Sequence, residues 1–369
     1  MSNGMKALMG SPAFIKNNED DRLFAALRKQ VNDALVSNQV PEFNLSVLKA
    51  FILPAIFVGL YVAAMLSSSI RVFFAFYAGM GFMVVIMFVN LIHEACHNNL
   101  FKVKKWNQRY MFLFDLLGAN SFIWRKRHVR LHHSYPNVVG WDSDIEKSEF
   151  LKVHPRDQSK KLIKQQGFMF LIYPFFVTNW FLIRDFKDYF SKKTIVRKLG
   201  SIPLKEYYKL FLFKFIFIGY IIGLPDLITP FSVSQILGAF FIYFLATGIM
   251  GLMVLLPPHV NIYNEFNVVN EGGTLDRSWF RLQLYSTNDV SGNNWFYRVV
   301  MGNFNFHLAH HLFPNISYLQ APLVTKVIRD FCLQHELPYR SYPLGVAIFG
   351  HIKLILKNRG MIDLFEEDM

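Results

Sequence analysis

The stretch VFFAFYAGMGFMVVIMFVNLIHEACHNN, residues 72–99, decides the fold. Residues 72–92 carry no charged side chain. A helix rises about 1.5 Å per residue, so this length crosses the roughly 30 Å hydrocarbon core of a bilayer. HEACHNN follows at once. His93 and His97 stand four apart, which puts both imidazoles on one helical face. An apolar span therefore ends in two ligand-type side chains at a membrane surface. HEACH also fits the zinc-protease pattern HExxH, with Glu94 as base, but that reading uses one further ligand and leaves other histidine clusters unexplained.

Other apolar stretches lie outward from this one. VLKAFILPAIFVGLYVAAMLSSS, at about 47–69, precedes it across Ile70 and Arg71, and the two predict a helical hairpin. KLFLFKFIFIGYIIGLPDLITP, about 209–230, and SQILGAFFIYFLATGIMGLMVLL, about 234–256, predict a second hairpin. The expected fold is all-α: an integral membrane protein with four spanning helices, interfacial helices and a histidine-rich metal-binding region on the cytoplasmic side. Residues 1–46 form a polar N-terminal segment containing an amphipathic helix, DDRLFAALRKQVNDALV. Residues 47–330 form the main domain, and 331–369 a C-terminal segment that is polar apart from pieces such as SYPLGVAIFG. The N-terminus lacks the apolar core of a signal peptide and has Ser2 where myristoylation requires glycine.

Two shorter apolar segments are expected to stay out of the bilayer core. MFLFDLLGANSFIW, 111–124, is too short and broken to span, and reads as interfacial or re-entrant. FMFLIYPFFVTNWFLI, 168–183, is placed by parity. A span there would put the second and third histidine clusters on opposite sides, so a shared site requires it flat in the interface. The termini and both long polar regions then share one side. The basic stretch 98–167, with KVKK at 102–105 and WRKRHVR at 124–130, marks that side as cytoplasmic.

Composition agrees with a membrane protein. Hydrophobic residues make up 53% of 369, 39 residues are Phe, and only 18% are charged, below the usual soluble fraction. Because the apolar residues gather in long runs, a Phe-rich soluble enzyme is not expected. The net charge of +13 flanks membrane segments, which argues against nucleic-acid binding. Arg125, Lys126, Arg127 and Arg130 read as inside-positive anchors, with attraction of an acidic donor or anionic head group as the alternative. Cys96 and Cys332 match no disulfide scaffold or CxxC site.

The second cluster is RHVRLHHSYPN, with His128, His132 and His133; the third is NFNFHLAHHLFPN, with His307, His310 and His311. Buried imidazoles need partners, and a shared metal site supplies them. Neutral imidazole suits iron, zinc and copper, and eight ligands exceed what one tetrahedral zinc takes. Two metals could share them. Two irons would suit oxygen activation, since an unactivated methylene has no acidity for a base to use. His154, His335 and His351, outside the clusters, read as surface histidines.

HEACHNN, HVRLHH and HLAHHLFPN resemble the three histidine boxes of membrane fatty-acid desaturases, in order, spacing and position beside the spans, over roughly 50–330. The resemblance implies a cytoplasmic diiron centre and oxygen-dependent desaturation of a long acyl chain, with two hydrogens removed in turn from neighbouring carbons. It implies O2 as co-substrate and a substrate on CoA or in a lipid. His259, in LLPPHVN, resembles the further family histidine that completes the metal shell. Acyl-CoA desaturases have Asn one turn before it, where this chain has Leu255, and Asn303, one turn before His307, is the candidate substitute. The trailing HHLFP resembles front-end desaturases, which act between an existing double bond and the carboxyl end. Those enzymes usually have Gln where this chain has His307, and often a fused cytochrome b5 domain with HPGG. No HPGG occurs here, which implies an external cytochrome b5 or ferredoxin-type donor with its reductase.

Metal-bound imidazoles need an acceptor on the other ring nitrogen. Asp142, Asp144, Glu94, Asn98, Asp185 and Asp188 are candidates by position. A hydroxylase or ketolase on the same scaffold is the alternative activity. A metal transporter is a remote one, since the candidate spans are nearly free of charge centrally.

Overall fold

A computed structural model describes residues 11–39, 44–145, 153–155, 173–175 and 183–358. Among the described residues, four helices are long and apolar enough to cross a membrane: Ser46–Met65, Ile70–Cys96, Leu204–Ile228 and Val233–Leu255. The second and fourth form the bundle's inner pair, with 50% and 56% of their apolar windows buried. The first and third have only 17% and 22% buried and present Phe51, Ile56, Phe215 and Leu227 outward, as lipid contact requires. A small residue sets the approach of the inner pair. A Cβ on Gly81 would collide with the Tyr243 carbonyl and lie 2.9 Å from the Ala246 Cβ, and Thr247 Oγ1 donates to the Gly81 carbonyl at 3.0 Å. Gly81→Val is therefore expected to cost about 1–3 kcal/mol, read as a lower midpoint in detergent thermal unfolding.

The expected spans are present with shifted ends. Ile70 and Arg71 belong to the second span, because Ser67–Ser69 make the turn: Ser67 Oγ donates to the Ser69 carbonyl at 3.0 Å and accepts from the Ser69 N–H at 3.2 Å. The second span runs to Cys96 and carries His93 within it. It does so through a π-helical turn at Phe88–Ile92, closed by His93 N–H to the Phe88 carbonyl. The third span also has a π turn, Gly219–Gly223. Carbonyls there accept from Tyr61 Oη (2.6 Å, Tyr220) and Tyr77 Oη (2.8 Å, Ile221), which satisfies backbone acceptors away from water. Lys214 lies within the same span, with its ammonium on Asp185 and on the Gly118 carbonyl.

Segment 111–124 is two short helices, Phe112–Leu116 and the start of Ser121–Arg127, divided at Gly118, whose φ is +89°. Tyr220 Oη donates to the Leu116 carbonyl at 2.8 Å, so the segment packs on the third span. The 168–183 segment lies outside the described residues except 173–175 and 183. Among the described residues, two parallel ribbons, one of two-residue and one of three-residue strands, join distant segments: β1 (Ala13–Phe14) with β2 (Thr274–Leu275), and β3 (Asp289–Ser291) with β4 (Ser341–Pro343).

Helix Asn18–Asn38 packs Leu27 and Val31 onto Val324, Ile328 and Phe331 of helix Ala321–Gln334. Helix Ala321–Gln334 runs through position 330 with one face buried in this cluster. The described chain continues into β4 and helix Leu344–Lys357, which contains the apolar piece of SYPLGVAIFG. His335 is exposed, but His154 and His351 are buried, contrary to the surface expectation. His154 stacks on Phe266, and the His351 Nδ1 donates to the Val260 carbonyl.

Candidate metal centre

Box one ends the second span. Asn98 turns the chain out of the helix with a φ of 67°, a conformation that Asn tolerates. The next residue ties the boxes together: Asn99 Nδ2 donates to the carbonyls of Pro314 and Ile316 at 2.9 and 2.7 Å. Box two lies on a π-helical turn, His128–His132, continuing helix Ser121–Arg127. The wider turn closes by His133 N–H to the His128 carbonyl at 3.0 Å and brings residues five apart into line. His128 and His133 consequently face each other, Nε2 to Nε2, at 3.1 Å. Box three is the short helix His307–Leu312. Asp289 holds its start by accepting Leu308 N–H at 2.8 Å and Tyr339 Oη–H at 2.9 Å, and burial pushes this carboxyl up to about 6.

The boxes converge into two groups. His93, His97, His128, His133 and His310 form one; His132, His259, His307 and His311 form the other. Within each group the ligand-type atoms lie within 4.8 Å of one another. The groups adjoin, since the His133 and His311 rings stack at 4.4 Å. His259 reaches His132, His311 and His307 at 3.1, 3.0 and 2.7 Å between Nε2 atoms. One Nε2 facing three others cannot satisfy them all with a single proton. In the first group the His93 Nε2 is buried with no hydrogen-bond partner among the described residues. A cation bound by each group resolves both problems, so the residues fit metal ions. Burial, followed by the neighbouring rings, pushes His128, His133, His307, His310 and His311 well below the ordinary imidazole range; burial, then Arg125 and His132, brings His97 to about 3. This keeps the rings in the neutral form that binds metals.

The proposed acceptors divide. Asp142 meets His132 Nδ1 with both oxygens at 3.1 Å while accepting N–H bonds from Asn137 and Asp144, each at 2.8 Å. Asp144 lies 3.7 Å from the same Nδ1. Glu94 is 3.9 Å from His93 Nδ1 and accepts from Tyr318 N–H at 3.1 Å. Asp185 and Asp188 instead meet cations: Arg127 reaches Asp188 at 2.6 Å and Asp185 at 3.5 Å, Lys214 reaches Asp185 at 2.8 Å, and Arg184 reaches Asp188 at 3.0 Å. Arg127 is thus no surface anchor; it is fully buried between two carboxylates. Asn303 precedes the box-three helix in a turn of φ 56° rather than on it, and donates to the Tyr318 carbonyl at 2.8 Å.

Gln283 belongs to no motif in the sequence. It sits on helix Trp279–Ser286, far from any box. Its Oε1 accepts from His311 Nδ1 at 3.0 Å, and its Nε2 donates to the His133 carbonyl at 3.1 Å, so one amide spans both groups. The His259 Nδ1 similarly donates to the Ser286 carbonyl at 3.3 Å. Gln283→Leu is expected to lower metal affinity or activity about 10–100-fold, checked by iron content and product formation, with Gln283→Glu restoring the His311 acceptor only.

A cavity of about 60 Å³ borders both groups. His93 and His128 of one and His132, His259 and His307 of the other line it, with Phe88, Trp124, Leu255 and Phe304 among its apolar walls. Leu255 thus contributes apolar surface.

Residues 67–343 match the family model described as fatty acid desaturase. The chain belongs to the fatty acid desaturase family. Relatives include an sn-1 linoleoyl-lipid 6-desaturase from Synechocystis, 29% identical over 69% of this chain and 71% of that one. An acyl-lipid (8-3)-desaturase from Physcomitrium patens is 27% identical over 91% of this chain and 72% of its own. An sn-1 linoleoyl-lipid 6-desaturase from Arthrospira platensis is 24% identical over 73% of each. This desaturase is a multi-pass membrane enzyme of oxygen-dependent fatty-acid desaturation, built around a diiron centre coordinated by histidines.

Proposed function

We propose that this desaturase acts on a fatty acyl group carried by a membrane lipid, with one iron held by His93, His97, His128, His133 and His310 and the other by His132, His259, His307 and His311. The observation that carries this reading is an apolar-walled cavity bordered by histidines of both groups. Bound iron with O2 supplies an oxidant strong enough to take hydrogen from an unactivated methylene. The chain's own residues hold and orient. Asp142, Gln283 and the Ser286 carbonyl fix ring orientation; Phe88, Trp124 and Phe304 give the acyl chain an apolar seat that keeps water out. Regiochemistry is then a matter of how far the chain enters before a pair of methylenes meets the metals.

The lipid carrier is supported by the relatives, which are named as linoleoyl-lipid 6-desaturases and an acyl-lipid (8-3)-desaturase. Insertion on the carboxyl side of an existing double bond is supported by the HHLFP ending of box three, which resembles front-end desaturases, and is opposed by His307, where those enzymes usually have Gln. Electrons come from an external cytochrome b5 or ferredoxin-type protein with its reductase. The exposed Lys102, Lys104, Lys105, Arg109 and Arg130 support a cytoplasmic site on the face of the bundle that carries the histidines. The test is the lipid profile of cells expressing the chain, with double bonds located by mass spectrometry. A new double bond on the carboxyl side of an existing one, appearing first in glycerolipids, is the expected product. Its appearance first in acyl-CoA would overturn the lipid carrier, and a hydroxylated product would overturn desaturation.

A further inference from the structure

We propose that helix Leu344–Lys357 lies in the headgroup–acyl boundary of the bilayer, with Val346, Phe349 and Leu356 facing lipid. In LGVAIFGHIKLILK only His351, Lys353 and Lys357 are polar, so the helix is apolar nearly all round. One face is accounted for by the protein. Ala347, Gly350, His351, Leu354 and Ile355 are buried. Leu354 and Ile355 join Leu252, Leu256 and Val260 in one cluster. Asn261 Nδ2 donates to the Ala347 carbonyl at 2.8 Å, and His351 Nδ1 to that of Val260. Gly350 permits this approach, since a Cβ there would strike the Asn261 side chain.

These contacts fix the helix's height. The fourth span ends at Leu255, and the helix is clamped to residues 252–261. It therefore sits level with the end of a membrane-spanning helix. Its outward face is not dressed for water: Phe349 is 63% exposed, Leu356 44% and Val346 41%. A helix with one face in water carries polar side chains there. Lys353 stands amid these residues on the outward face and Lys357 at its end, both exposed. A protein partner would have to bury Lys353 at the centre of an apolar contact, which interface cores avoid. At a lipid surface its aliphatic stem lies along apolar material while the ammonium reaches phosphate. The geometry also joins this helix to the site, because Leu256 and Val260, against which it packs, line the cavity beside the histidines.

The test uses the full chain carrying Phe349→Cys or, separately, Leu356→Cys, labelled with an environment-sensitive dye and reconstituted into phosphatidylcholine–phosphatidylglycerol vesicles. Both native cysteines are buried, and the parent chain gives the labelling background. Each variant is read only on protein that elutes as one folded species. The expected result is blue-shifted emission, quenched by lipid with a nitroxide high on its acyl chain and indifferent to iodide. Quenching by iodide without quenching by nitroxide lipid would overturn the proposal in favour of water. Shielding from both quenchers at both positions would overturn it in favour of a covering protein surface.

Discussion

His259→Ala is expected to abolish desaturation and to lower the iron bound per chain. His259 stands outside the three boxes, so its loss separates geometry from motif. Its Nε2 meets those of His132, His307 and His311 within 3.1 Å, which makes it the hub of its group. Alanine leaves three imidazoles where four converged. The remaining group, centred on His97, His128 and His133, keeps its own contacts. Iron should therefore fall without loss of the fold. Iron analysis and product assay on protein with an unchanged elution profile provide the check. Full activity with unchanged iron would remove His259 from the centre.

Arg127→Met is expected to destabilise the chain by about 3–5 kcal/mol, the usual cost of leaving a buried charge without its partner. Arg127, Asp185 and Asp188 are all fully buried. Without the guanidinium, Asp188 retains Arg184, and Asp185 retains Lys214, as the cationic partners among the described residues. Burial already pushes Asp185 above the ordinary carboxylate value, opposed by Lys214 and Arg127. Removing one opposing cation raises it further. A carboxyl with a folded value above its unfolded one loses stability as pH rises through the folded value. The variant's deficit should thus shrink on acidification, where protonated Asp185 tolerates burial. Thermal unfolding in detergent across pH measures this; a deficit that does not shrink on acidification would show that the carboxylate charges do not set it.

The spans and eight box histidines were legible because their signals are local: runs of apolar residues and imidazoles at helical spacing. Other parts depend on distant chain. Arg127 looked like a flanking cation, since WRKRHVR says nothing of Asp185 and Asp188 some sixty residues on. His351 looked like surface because Val260, which accepts its proton, lies 91 residues away. Gln283 has no motif; only folding sets its amide between boxes two and three. The placing of Asn303 differs for another reason. Counting back one helical turn from His307 assumed a helix that begins only at His307.

The π turn at Phe88–Ile92 gives the second span one residue more than a regular turn would hold, just before His93. Each residue in a helix advances the azimuth by about 100°. The aim of His93 and His97 is therefore set by chain length across these positions more than by the side chains within it. Apolar residues there can be exchanged for one another without turning the ligands. A change in their number would rotate the first box away from the other two while leaving the membrane span itself intact.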